Sequence, residues 1–176
     1  MRPRDQAHAH SRKEGIARGS GATQNPTAAR RHERITHCIR ARQGRLVIVY
    51  CDAHVLLKRV LDEPDALTFC AVIDELLAGG ASLATSAVGQ LEVSRVIRRS
   101  TGRLQERQVQ LALDEIAIVG ISDLVLHNAA DVPHQTLRSL DAIHVATAFT
   151  VGADLVLTLD KQMRAACEEL GMLVGP

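Results

Sequence analysis

Aromatic side chains are almost missing from this chain of 176 residues, which has no tryptophan, one tyrosine and two phenylalanines. Tyr50, Phe69 and Phe149 each lie within or beside an apolar run, so the sequence shows no platform on which unpaired bases would stack. Cysteine is scarce too. Cys38, Cys51, Cys70 and Cys167 form no C-x-x-C pair and fall singly in apolar or helical surroundings, which argues against a disulfide framework or a zinc site and for reduced, packed thiols. No run approaches the roughly eighteen apolar residues of a membrane span. The N-terminal region also lacks the apolar centre of a secretory signal. A soluble, cytoplasmic protein is the expectation.

What is present is unevenly spread. The formal net charge is +1, yet residues 1–44 hold ten Lys or Arg against three Asp or Glu, and residues 45–176 hold eleven against seventeen. The first segment is rich in Arg, His, Gly, Ser and Thr and has almost no large apolar residues, so it cannot bury enough surface to offset the entropy of ordering. Two readings stay open for it: a basic arm that tracks phosphate backbones, or a dispensable leader outside a reading frame that starts near Val47. Residues 45–176 are long enough for one sizeable core and too short for two ordinary domains.

That body alternates strand and helix signals. The run LVIVYC (46–51) is continuous, apolar and rich in β-branched residues, as in strands buried on both faces. HVLLKRVL (54–61) predicts a helix that stops before Pro64. DALTFCAVIDELLA (65–78) has helical spacing and ends at Gly79-Gly80, a helix terminator. After the short strand SLAT, Thr85 or Ser86 can cap a helix through about residue 100, with Val93, Val96 and Ile97 as its buried stripe. A helix over roughly 104–115 and the strand IAIVGI follow. Ser122 then caps DLVLHNAADV, and Ser139 is the predicted cap of LDAIHVATAFTVG. DLVLTL is a strand, DKQMRAACEELG a helix and MLV a final strand. This order predicts a three-layer α/β/α, Rossmann-like domain around a mostly parallel sheet.

Ligands of open parallel sheets bind beyond the carboxyl ends of the strands, and four acids belong near that edge. Asp52 directly follows the first strand and Asp160 follows DLVLTL. Glu92 lies in the second turn of the helix after SLAT, about 100° from Val93 at the stripe's edge. Asp141 is in the first turn of its helix. Each also has a plain explanation: Asp52 as a cap, Asp141 and Asp160 as partners of helix dipoles, Glu92 as an ion-pair partner of Arg95. Together they would repel one another at a partly buried edge. A divalent cation removes that conflict, and an all-carboxylate cluster selects magnesium or manganese over zinc. Such a cation activates water and stabilises charge on a phosphate during in-line displacement.

VYCDAHVLLKRVLDEPDA, LATSAVGQLEVSRVIRR, LRSLDAIHVATA and LVLTLDKQMRAACEELGM resemble, in order, the signature segments of PIN-domain nucleases, above all the VapC-type toxins of bacterial toxin–antitoxin pairs. The resemblance spans about residues 46–175 and leaves the leader without a counterpart. It implies a magnesium- or manganese-dependent endoribonuclease whose acidic quartet is Asp52, Glu92, Asp141 and Asp160. In that quartet Asp52 and Asp141 are direct metal ligands, and Glu92 and Asp160 complete the cluster or orient the attacking water. It also implies an RNA substrate, a cognate antitoxin whose C-terminal segment lies along the active-site groove, and a homodimer built through helices near residues 53–100, to which Leu57, Val60 and Leu61 would contribute unless they belong to the core.

One position departs from the family pattern. Two residues after the first acid the family usually has a small hydroxyl residue, and this chain has His54, which either crowds or ligates the metal or turns to solvent. A catalytically weak or inactive PIN-like module that binds RNA or protein is therefore the alternative. His144, three residues after Asp141, is either a hydrogen-bond partner of that acid or a packed structural histidine. Arg95, Arg98, Arg99, Arg103 and Arg107 fall on or just after one helix and either grip RNA or form an ordinary solvated face.

Overall fold

The computed structural model describes residues 46–63, 65–133 and 136–175; both readings of the basic leader, and Cys38, lie outside the described residues. Five strands form one sheet: β1 (Ile48–Cys51), β2 (Ser82–Ser86), β3 (Ile116–Val119), β4 (Leu155–Leu157) and β5 (Val174–Gly175). Their order is β3-β2-β1-β4-β5 and every pairing is parallel. Val49 is in register with Leu83 on one side and Leu155 on the other. Between the strands run helices α1 (Ala53–Leu57), α2 (Ala66–Ala78), α3 (Ala87–Thr101), α4 (Glu106–Ala112), α5 (Asp123–Ala130), α6 (Ser139–Thr150) and α7 (Lys161–Glu169).

Side chains alternate across the pleat, and the apolar strands therefore feed two cores. Val49 and Cys51 point to one face with Leu83, Leu155 and Leu157, where they meet Val55 and Leu56 of α1, Ile73 of α2 and Val93 and Ile97 of α3. Tyr50 and Val156 point to the other, against Val145 and Ala148 of α6 and Met163, Ala166 and Cys167 of α7. The molecule is thus a three-layer α/β/α domain with a fully parallel described sheet, as the alternation of elements predicts. Burial pushes the Cys51 and Cys167 thiols up to about 12, so both are inert packing residues, and Cys70 is also free and half-buried.

Local signals account for the boundaries. The Ser86 hydroxyl accepts from the Gly89 N–H at 3.0 Å to open α3, and the Ser122 hydroxyl accepts from Val125 to open α5. Gly80, with φ of 79°, takes the left-handed turn after α2. Two expectations fail at helix ends. The first helix stops at Leu57 rather than continuing to Leu61, because Lys58, Arg59 and Val60 bond three residues back in a tight turn. That turn packs Val60 and Leu61 onto the core beside buried Leu57, which removes Leu57 from any exposed dimer surface. It also sends the Arg59 guanidinium to the carbonyls of Ala112 and Asp114, at 3.0 and 2.7 Å. At α6 the cap position is Arg138, without a side-chain bond, and Ser139 is the first helical residue; the Arg138 carbonyl already accepts from Ala142. The last strand begins at Val174, two residues later than the MLV run suggests.

Candidate metal centre

With all strands parallel, their carboxyl ends share one edge, and the chain departs from β1 towards β2 first and reaches β4 on the opposite side later, which opens a crevice beside β1. Asp52 stands there. Its N–H continues the ladder by donating to the Leu157 carbonyl at 2.9 Å. Although Asp52 occupies the cap position of α1, its side chain makes no capping bond. The carboxylate instead accepts from the Thr158 hydroxyl at 3.1 Å and lies 3.5 Å from His54 Nδ1. The residue is only 4% exposed. Burial by itself would raise its pKa, but the hydrogen bond and charge of His54 and the Thr158 hydroxyl hold it below the usual carboxylate range. A buried, ionised, non-capping acid is the mark of a site rather than of a helix start.

Of the other three acids, Glu92 alone joins Asp52 in a close cluster among the described residues. Glu92 sits on α3 with Oε2 2.9 Å from His144 Nε2. Asp52, Glu92 and His144 bring one potential ligand atom each to within 4.8 Å of one another. Asp141 does occupy the first turn of α6, but the helix dipole does not make it comfortable: burial, then the charge of Asp160, raise its pKa, with Asp52 and Glu92 adding to the repulsion. Asp160 is the cap of α7, its Oδ1 accepting from the N–H groups of Gln162 and Met163 at 2.7 and 2.8 Å. Its own N–H donates to Thr158 Oγ1 at 3.0 Å, so one buried hydroxyl links Asp160 to Asp52.

Glu92, Asp141 and Asp160 line a single open cavity of about 1010 Å³, whose lining also includes His54, Arg138 and Lys161. A neighbouring hollow of about 410 Å³ shares His54 and Glu92 and is otherwise lined by Leu91, Arg95, Arg99 and Leu140, among others. The His54 side chain is 69% exposed, so it neither packs into the core nor leaves the site. Its pKa is raised, first by the hydrogen bond to Asp52, against the effect of burial, and further by the charges of Asp52, Glu92 and Asp160.

A PIN domain profile matches residues 49–169. The chain belongs to the PIN domain family. Among relatives of this PIN domain, "Ribonuclease VapC47" of Mycobacterium tuberculosis (strain CDC 1551 / Oshkosh) is 30% identical over 130 residues, covering 73% of this chain and 96% of that protein. "Ribonuclease VapC46" of M. tuberculosis (strain ATCC 25618 / H37Rv) is 30% identical over 131 residues, covering 73% and 97%. Among solved structures, VapBC2 from Rickettsia felis bound to a promoter DNA fragment superposes with a TM-score of 0.56 at 14% identity, covering 73% of this chain and 97% of that one. PAE2754 from Pyrobaculum aerophilum gives 0.51 at 19% identity, covering 73% and 83%. At those identities the superpositions speak for the fold alone.

Within the PIN fold, two readings of single residues narrow. His144 is the buried, packed histidine of the two alternatives and its Nε2 pairs with Glu92, not Asp141, while for Glu92 the helical spacing suggests Arg95. Thr158, Arg138 and Lys161 were not singled out by sequence. Thr158 is two residues before Asp160, the one signal that marks it; Arg138 and Lys161 are each next to a residue of an acidic motif, but adjacency says nothing of which way a side chain turns.

Proposed function

We propose that this chain is a divalent-metal-dependent endoribonuclease, the toxin of a toxin–antitoxin pair. The observation that carries the reading is the buried, ionised Asp52 beside Glu92, on the same edge as Asp141 and Asp160, in a chain of the PIN family. The donor set fits a hard cation. It is made of carboxylate oxygens, and Asp141 is held above its usual range first by burial and then by the charges of Asp160, Asp52 and Glu92, which a divalent ion would neutralise. Asp52 and Asp141 would hold magnesium or manganese directly, with Asp160 completing the set. The cation, when bound, supplies activation of water and stabilisation of charge on the scissile phosphate. Glu92 would complete the cluster or orient the attacking water. Arg138 and Lys161 line the same cavity, where cations would draw in the RNA backbone without reading sequence. With three aromatic residues in the chain, target choice rests on RNA shape or a short single-stranded loop rather than on base stacking.

The relatives carrying toxin names and the likeness to a VapBC assembly support a cognate antitoxin. Its segment would lie in the hollow between α1 and α3, where Leu91 and Leu140 offer apolar contact and Arg95 and Arg99 positive charge. A homodimer belongs to the same reading, with contacts other than Leu57. A second reading, a binding module without cleavage, draws on one observation: a His54 cation beside Asp52 can stand where a metal would. A labelled RNA pool titrated with Mg²⁺ or Mn²⁺ decides between them. Metal-dependent cleavage that falls by about 100-fold or more in Asp52→Asn and in Asp141→Asn is the expected result. RNA retention without metal-dependent cleavage sinks the nuclease reading.

A further inference from the structure

A string of buried polar groups runs through the second core to Glu92. Tyr50 has no exposure at all, and His144 is 1% exposed. The Ser86 N–H donates to Tyr50 Oη at 3.1 Å. That oxygen is 2.7 Å from His144 Nδ1, and His144 Nε2 is 2.9 Å from Glu92 Oε2. The two rings meet edge to face, with centroids 6.0 Å apart.

The order of donors follows from what each group can do. A backbone N–H only donates, so Tyr50 Oη accepts from Ser86 and retains one proton to give. Burial holds the phenol far above its ordinary range, so it keeps that proton. The Ser86 and Thr85 hydroxyls also lie beside the phenol, and Ser86 Oγ is 3.5 Å from Nδ1, but the 2.7 Å contact of Oη with Nδ1 is the short one, which makes Nδ1 the receiver. A neutral imidazole that accepts at Nδ1 carries its proton on Nε2 and donates it to Glu92. Were His144 a metal ligand through Nε2, Nδ1 would have to be the donor. Tyr50 Oη would then take two N–H groups and have to turn its own proton away from its 2.7 Å contact.

We propose that Tyr50 and His144 are positioning residues: they lock His144 as an Nε2–H donor to Glu92, so that His144 is excluded from the metal although its ring nitrogen stands within 4.8 Å of two acids, and Glu92 is presented through its remaining oxygen. Gly89 is the backbone condition for this arrangement, since a Cβ there would run into Thr85 Oγ1 and lie 3.2 Å from His144 Cε1. The inference rests on the metal-dependent reading of the acidic site.

The test starts without RNA. Long-range ¹H–¹⁵N correlation of the metal-free protein should show His144 protonated on Nε2, and the proton should persist when Mg²⁺ saturates the site. A ring protonated on Nδ1, or loss of the Nε2 proton on adding Mg²⁺, overturns the proposal. Mn²⁺ affinity, read by paramagnetic resonance on variants that still melt cooperatively, should fall by about 10-fold in His144→Ala and in Tyr50→Phe. His144→Gln, whose amide N–H₂ can donate to Glu92 in place of Nε2, should recover to within about threefold of wild type. Normal Mn²⁺ binding by the wild type with unaltered affinity in Tyr50→Phe and His144→Ala overturns the relay alone. Failure of the wild type to bind Mn²⁺ overturns the metal reading itself, and the relay's purpose with it.

Discussion

Thr158 is fully buried and its hydroxyl is engaged twice, donating to Asp52 Oδ2 and accepting from the Asp160 N–H. Thr158→Val keeps the volume and removes both bonds, leaving a buried carboxylate oxygen and a backbone donor short of partners. The expected loss is about 1–3 kcal/mol in urea unfolding of the metal-free protein, with Asp52 less firmly oriented. His54 makes a prediction with a sign. Its folded-state pKa is raised by Asp52, so the stability it contributes is fully present below the unfolded value of about 6.5 and is lost as pH climbs through the higher folded value. Metal-free wild type should therefore lose stability relative to His54→Ala as pH rises above about 6.5, and two denaturation series measured side by side would show the difference. Parallel curves would mean that the His54–Asp52 contact stores nothing.

At the scale of elements, α3 is where packing and chemistry meet. In an open helix Gly→Ala is worth up to about 1 kcal/mol of added stability. At Gly89 the sign should reverse, because the new methyl meets Thr85 and crowds His144; a net loss of roughly 1–3 kcal/mol is expected from overpacking, with weakened metal binding, both measurable on the same preparation by thermal melts with and without Mn²⁺. Strands and helix starts were legible in the sequence wherever the cause is local. The apolar run of β1, Gly80 after α2, and the hydroxyl caps Ser86 and Ser122 need only their neighbours. The failures lie where a distant partner decides. The end of α1 depends on Arg59 reaching α4, and the choice of Glu92 as partner of His144 depends on how α3 and α6 pack across β2, which linear spacing cannot give. Asp52, Asp141 and Asp160 could be placed near one sheet edge from sequence because each follows a strand or opens a helix there, and Glu92 because it lies in the second turn after a strand, whereas Thr158, an uncharged strand-end residue, carried no such flag.

For the molecule as a whole, the acidic edge sets function against stability. Asp141 is an acid whose folded pKa is raised, so the stability it contributes is present at low pH and is lost as pH rises through that value; ionised at neutral pH, it is a cost to the metal-free fold. Asp141→Asn should accordingly make the metal-free protein more stable than wild type at pH 7, by an amount that shrinks as the pH is lowered and the wild-type acid takes up its proton. Metal reverses the ranking. A cation that binds the native state alone stabilises it by about 2.7 kcal/mol at a concentration 100 times its Kd, and Asp141→Asn should forfeit most of that gain along with cleavage. Unfolding midpoints of wild type and variant in chelator and in saturating Mg²⁺ or Mn²⁺ provide the check. The crossing of the two rankings is the expected outcome; a variant that is less stable in chelator and still gains fully from metal would mean that Asp141 neither strains the free site nor holds the ion.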